Sequence, residues 1–131
     1  MILLDTTFLI DFLRGDKKAI DFLNKIDEPI RTTIINEYEL FVGIVRLPGI
    51  DVENKIKETK GIFDSIEVLA LDEESMIESA KICGRLIQKG EEIGDNDCII
   101  AGIALKNGIS TIVTRNKIHF SRIPTMKVLS Y

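Results

Sequence analysis

A chain of 131 residues, 45% hydrophobic and 29% charged, has the size and makeup of one folded domain and excludes a disordered tail. Aromatic residues make up only 6% and Trp is absent, so the core has to be built from Ile, Leu and Val. The opening residues reach Asp5 without a basic segment and every apolar run is short, which argues against a secretory leader or a bilayer span; a cytoplasmic, membrane-free protein is expected.

Met1 to Leu4 reads as a short buried strand ending in Asp5. Thr6 or Thr7 is placed to cap a helix whose apolar positions are Phe8, Leu9, Phe12 and Leu13, and Gly15 stops it. Asp16 opens a second helix through Ile26, with Ile20, Leu23 and Ile26 on its inner side. After Pro29, Ile30 to Ile34 is a strand candidate, and helix returns from Asn36 to about Leu47, stopped by Pro48-Gly49. Residues 51–64 form a polar helix anchored by Val52, Ile56 and Phe63, and Ile66 to Leu71 is β-like. Asp72-Glu73-Glu74-Ser75 starts a long helix to Lys89, with a stripe predicted at Met76, Ala80, Cys83 and Ile87 and Gly90 ending it. Asp95-Asn96-Asp97 opens a helix to Lys106, terminated by Asn107-Gly108. Ile109 to Thr114 is a strand, a basic loop follows, and Met126 to Leu129 is a final short strand. Strands alternating with helices over 1–131, with no linker or repeat, predict a single α/β domain: three layers, with helices on both faces of a central parallel sheet.

Cys83 and Cys98 lie inside apolar periodic segments and read as small core residues, with no third Cys or adjacent His for a zinc site. Charge is segregated. Residues 1–97 carry all 21 acids and a net −9, whereas the rest of the chain carries only bases and a net +5. Such asymmetry is a weak pointer to a polyanionic partner, balanced by the reading of a chance surface imbalance.

The chemistry is expected beyond the carboxyl ends of the strands, where Asp5, Thr114 and Asn116 fall. Neither a dinucleotide fingerprint nor a phosphate-binding loop is present. Three acids stand where acids are costly. Glu39 is the only charge in Tyr38 to Val45, Asp97 heads the apolar line of Ile100, Ala101, Ala104 and Leu105, and Asp5 ends an apolar strand. Carboxylates gathered in partial burial repel one another unless a cation intervenes, and a hard divalent ion such as Mg²⁺, held by oxygen ligands, removes the conflict. Each acid also has a plainer reading: Asp97 and Asp95 as helix caps, Asp5 as the start of a turn, Glu39 as a side chain reaching the surface. Glu37 lies about 200° round the helix from Glu39, so both cannot face one site. His119, the only histidine, reads as a loop residue bonded to backbone before it reads as a general base.

Four segments, in order and spanning nearly the whole chain, resemble PIN-domain proteins, and within them the VapC-type toxin branch: Leu4-Asp5-Thr6-Thr7-Phe8-Leu9-Ile10-Asp11, Glu39-Leu40-Phe41-Val42-Gly43, Gly94-Asp95-Asn96-Asp97-Cys98-Ile99-Ile100-Ala101, and Thr114-Arg115-Asn116 followed by His119 to Pro124. The resemblance implies a metal-dependent endoribonuclease using Mg²⁺ or Mn²⁺, usually a homodimer, held in check by a small cognate antitoxin whose tail occupies the active-site groove. It implies catalytic metal ligands at Asp5, Glu39 and Asp97, with Asp95 an acid found in only some members. Thr6 or Thr7 would orient Asp5, Thr114 would support the site, and Arg115, Lys117 and Arg122 would meet RNA phosphates. Where many members have a fourth acid this chain has Asn116, which can hold a metal-bound water but adds no charge for a second ion. Two other readings stay open: a PIN-like RNA-processing or metal-binding module without a toxin role, and a phosphoacceptor receiver domain. The receiver is disfavoured because only Asp5 follows the first strand, Lys127 precedes its apolar run, and Asp72 is the sole acceptor candidate.

Overall fold

A computed structural model describes residues 1–131. Five three- or four-residue strands alternate with seven helices: β1 (Ile2–Leu4), α1 (Thr6–Leu13), α2 (Lys17–Lys25), β2 (Ile30–Thr33), α3 (Ile34–Val45), α4 (Val52–Phe63), β3 (Glu67–Leu69), α5 (Glu73–Gln88), α6 (Asp95–Lys106), β4 (Thr111–Val113), α7 (Lys117–Ser121) and β5 (Lys127–Leu129). The strands form one parallel sheet in the order β3-β2-β1-β4-β5, with Leu3 opposite Arg31 on one side and Ile112 on the other. The chain fills one side of β1, then returns to fill the other. The order therefore reverses between β1 and β4, and the crevice above their carboxyl ends is the place where such sheets bind ligands.

Alternation along the strands divides the core. Ile2, Leu4 and Val113 pack with Phe8, Leu9, Ala19 and Leu40 from α1, α2 and α3. Leu3 and Ile112 turn the other way, onto Ile82 and Leu86 of α5, Ile100 and Ile103 of α6, and Phe120 of α7. The result is the expected three-layer α/β/α sandwich. Fully burying side chains such as Ile100, Ile103 and Ile112 stabilises the fold by about 1.5–3 kcal/mol each. No helix is long and apolar enough to cross a membrane.

Several local expectations are corrected. The inner face of α5 is Ser75, Ser79, Ile82 and Leu86, not the predicted stripe: Met76 and Ile87 are each 53% exposed. The reason lies in α6, where a Cβ on Gly102 would stand 2.6 Å from the Ser79 backbone nitrogen. Helices that approach so closely need small residues at the contact, so serines turn inward and the bulkier stripe turns out. On α2, Ala19 is buried with Phe22, Leu23 and Ile26 beside it, while Ile20 is exposed. Helix α3 starts at Ile34, two residues early, because Thr33 and Asn36 close a capping box. The basic loop after Thr114 contains the short helix α7.

Candidate active site

Asp5 occupies the N-cap position of α1, yet its side chain makes no capping bond, and neither Thr6 nor Thr7 caps the helix as predicted. The Asp5 carboxylate is 4% exposed and turns toward the crevice. It accepts hydrogen bonds from the Thr114 hydroxyl at 2.6 Å, the Thr7 hydroxyl at 3.1 Å and the Asn36 amide at 3.2 Å. Thr6 serves a different acid, donating to Glu39 Oε1 at 2.7 Å, while Asn96 approaches Glu39 Oε2 at 3.5 Å. Helix α6 is likewise capped by no side chain. Asp97, in its first turn, instead meets the Asn116 amide at 3.1 Å and His119 Nδ1 at 2.7 Å.

The three acids thus belong to one hydrogen-bonded network. Asp97 joins Asp5 through Asn116, whose backbone N–H donates to the Thr114 hydroxyl, and Asp5 joins Glu39 through Asn36 and Thr6. Every member of that network except His119 is neutral or acidic. No Lys, Arg or amino terminus pairs with Asp5 or Glu39, and the one basic side chain against Asp97 is the His119 imidazole. The electrostatic consequence is visible. Burial pushes the Asp5 carboxyl above its ordinary range despite the bonds from Thr114, the Thr6 backbone and Thr7, and the charge of Asp97 adds to the rise. Burial likewise raises Glu39, against Thr6 and Asn96, with the charges of Asp5 and Asp97 adding to it.

As placed, each carboxylate leans on its neutral donors, and no three His, Cys, Asp or Glu side chains stand close enough together to hold a metal ion. The donor set nevertheless fits a hard divalent cation: three carboxylates, buried to differing degrees and feeling one another's charge, two of which, Asp5 and Glu39, have no basic side chain to compensate them. A cation would replace the missing counter-charge.

Other predicted residues are placed differently. Asp95 is exposed, and its side-chain contact is Cys83 Sγ at 4.0 Å on α5 rather than the acid network. Arg115 is engaged by Asp11 at 3.0 Å, and Arg122 donates to the Glu92 carbonyl at 2.8 Å; Lys117 is exposed and unpaired. His119 contacts a carboxylate, not the backbone contact read from the sequence. Asp72, the receiver reading's acceptor, caps α5 and pairs with Lys106 at 2.6 Å, which with Ser75 holds its carboxyl well below the usual range. Cys98 is buried and Cys83 half-buried beside it; burial pushes the Cys98 thiol up to about 12, which leaves it inert. Sequence reasoning gave Asn36 and Asn96 no role. The available signal was an amide, Asn36, one turn before Glu39 on an otherwise apolar helix face.

The profile of the PIN domain family matches residues 2–125. The chain belongs to the PIN domain family. Among other PIN-family proteins, it is 33% identical over 76 residues to the tRNA(fMet)-specific endonuclease VapC of Salmonella typhimurium, a match covering 58% of this chain and 57% of that protein. The match thus spans little more than half the length of that relative. Solved structures extend the likeness to the whole fold. VapBC2 from Rickettsia felis, bound to a DNA fragment from their promoter, superposes with a TM-score of 0.85 at 24% identity, over 100% of this chain and 99% of that one. FitAcB from Neisseria gonorrhoeae does so with a TM-score of 0.85 at 26% identity, over 98% of this chain and 96% of that one.

Proposed function

We propose that this PIN domain is a metal-dependent endoribonuclease, a VapC-type toxin that cleaves RNA phosphodiester bonds and is restrained by a cognate antitoxin. One observation carries the reading: Asp5, Glu39 and Asp97, far apart in sequence, are drawn into one hydrogen-bonded network at the sheet's topological switch point, with no basic side chain to neutralise Asp5 or Glu39. The Salmonella relative, a tRNA(fMet)-specific endonuclease, supports RNA as the substrate class.

In this reading Asp5, Glu39 and Asp97 hold Mg²⁺ or Mn²⁺, which when bound polarises a phosphoryl oxygen and acidifies a water. Thr7 and Thr114 orient Asp5, Thr6 and Asn96 orient Glu39, and Asn116 and His119 orient Asp97. Asp95 lies outside this set, at its α5 side. Arg115 presents a guanidinium that Asp11 already holds in place, and Lys117 offers a free ammonium; these two bind phosphate, with Arg122 anchored further out on Glu92. A cavity of about 250 Å³ between α1, α3 and α4 runs to Glu39, walled by Ile10, Leu13, Leu40, Ile44 and Leu47 with Arg14 and Lys55 among its lining. An antitoxin tail with apolar anchors and an acidic flank fits it. Apolar side chains exposed on α3 (Tyr38, Val42, Val45) and α5 (Met76, Ile77) support a homodimer.

The test is an RNA-cleavage assay with Mn²⁺ or Mg²⁺, with chelator, and with Asp97→Asn. Cleavage should need the metal and be abolished in the variant. Persistent cleavage in chelator or in Asp97→Asn would overturn the proposal.

A further inference from the structure

We infer that Asn36 is the positioning residue that sets Asp5 and Glu39 relative to each other for a divalent cation, an assignment that rests on the metal-binding part of the proposed function. Each of the three acids is met by one asparagine: Asp5 by Asn36, Glu39 by Asn96 and Asp97 by Asn116. Asn36 alone among them is fully buried, at 0% exposure.

Its carboxamide is used at both ends. Oδ1 accepts from the Thr33 backbone N–H at 3.1 Å and the Thr33 hydroxyl at 2.7 Å, while Nδ2 donates to Asp5 Oδ1 at 3.2 Å and to the Thr6 hydroxyl at 3.0 Å. The orientation is not interchangeable, because a flipped amide would aim an oxygen at a carboxylate and an NH₂ at an N–H. Thr6, having accepted from Asn36, is free to donate to Glu39. One side chain therefore ties the end of β2 and the start of α3 to the end of β1. Glu39 rides one turn further along the same helix.

A capping role alone does not call for this residue. Where the fold needs only a capping box, at the start of α5, Ser75 fills the same N3 position with a hydroxyl and touches no member of the acid network. Closing the box at α3 takes only the acceptor end of Asn36. The donor end faces Asp5, and an acid of similar shape there would add a further negative charge instead of a donor.

Titrating Mn²⁺ alone into the metal-free full chain tests this by calorimetry, alongside chemical denaturation in chelator. Asn36→Ala should weaken Mn²⁺ affinity about 10- to 100-fold, the range for losing a group that orients a ligand. Thr33→Ala opens the same capping box but leaves the Nδ2 contacts. It should lower stability and keep the wild-type Mn²⁺ affinity. If Asn36→Ala does not fold, Asn36→Ser, whose hydroxyl serves the cap but stops short of Asp5, should show the same loss of affinity. Wild-type Mn²⁺ affinity in Asn36→Ala or Asn36→Ser, or an equal loss in Thr33→Ala, would overturn the assignment and leave the nuclease reading standing. A wild-type chain that takes up no Mn²⁺ would overturn both.

Discussion

The buried Asp5 and half-buried Glu39 carboxyls, raised by desolvation and by neighbouring acids, carry an instability with measurable consequences. A carboxyl whose folded-state pKa is raised holds its proton longer in the folded chain than in the unfolded one, so its contribution to stability is present at low pH and lost as pH rises through the raised value. For Asp5 and Glu39 the window lies between the ordinary carboxylate range and their raised values. In chelator, denaturation midpoints should therefore climb as pH is lowered from neutral into that window, and saturating Mn²⁺ should flatten the profile. Asp97→Asn removes the charge that repels both acids, and its one amide oxygen, turned to the place of Asp97 Oδ2, can go on accepting from Asn116 and His119. The variant should be inactive yet at least as stable as wild type in chelator, a comparison made by urea denaturation. At the sheet's far edge, Tyr131 donates to Asp11 at 2.7 Å and packs edge-on against Phe8 at 4.7 Å between ring centres. Tyr131→Phe should cost about 1 kcal/mol, the net worth of a lost hydrogen bond, and Tyr131→Ala about 2–3 kcal/mol. Both should loosen Arg115, which shares the Asp11 carboxylate.

Among the elements, helix ends were legible because their chemistry is local. Gly15, Gly90 and Gly108, read as stops, all adopt positive φ past the helices they end. Helix faces were less legible where a neighbour decides them. On α5 hydrophobicity pointed at Met76 and Ile87, but contact with α6 selects for small size, and Ser75 and Ser79 face inward. Gly102→Ala tests that contact. The added methyl would sit 2.0 Å from Ser79 Oγ and 2.6 Å from its backbone nitrogen, so a side-chain rotation cannot relieve it. A loss of about 3 kcal/mol is expected, at the upper end for overpacking, read from the denaturation midpoint at unchanged m-value. Helix α7 escaped sequence reading because its five residues show no side-chain cap; Asn116, at its N-cap, gives its amide to Asp97.

For the molecule as a whole, the charge segregation seen along the chain is partly cancelled in space. Lys106 folds onto Asp72 and Arg115 onto Asp11, whereas Arg122 is held by the neutral Glu92 carbonyl, which leaves Lys117, Arg122 and Lys127 as the cations of the basic segment without an acidic partner. RNA binding should accordingly show a shallow salt dependence. With two or three phosphate contacts, a plot of log affinity against log salt should slope about −1.4 to −2, and Lys117→Ala should reduce that slope by about 0.7. A steep slope unaffected by Lys117→Ala would place the RNA on another face.

By itself the sequence determined the fold class, the order of every element but α7, and the three acids as candidates, because periodicity, glycine stops and a lone charge in an apolar run are properties of neighbouring residues. Tertiary structure alone decided which neutral groups serve those acids. Thr6 reaches Glu39 across 33 positions, Thr114 reaches Asp5 across 109, and Asn36 spans the gap between two strand ends. Those partnerships depend on β1 lying between β2 and β4, a long-range pairing that no local pattern encodes.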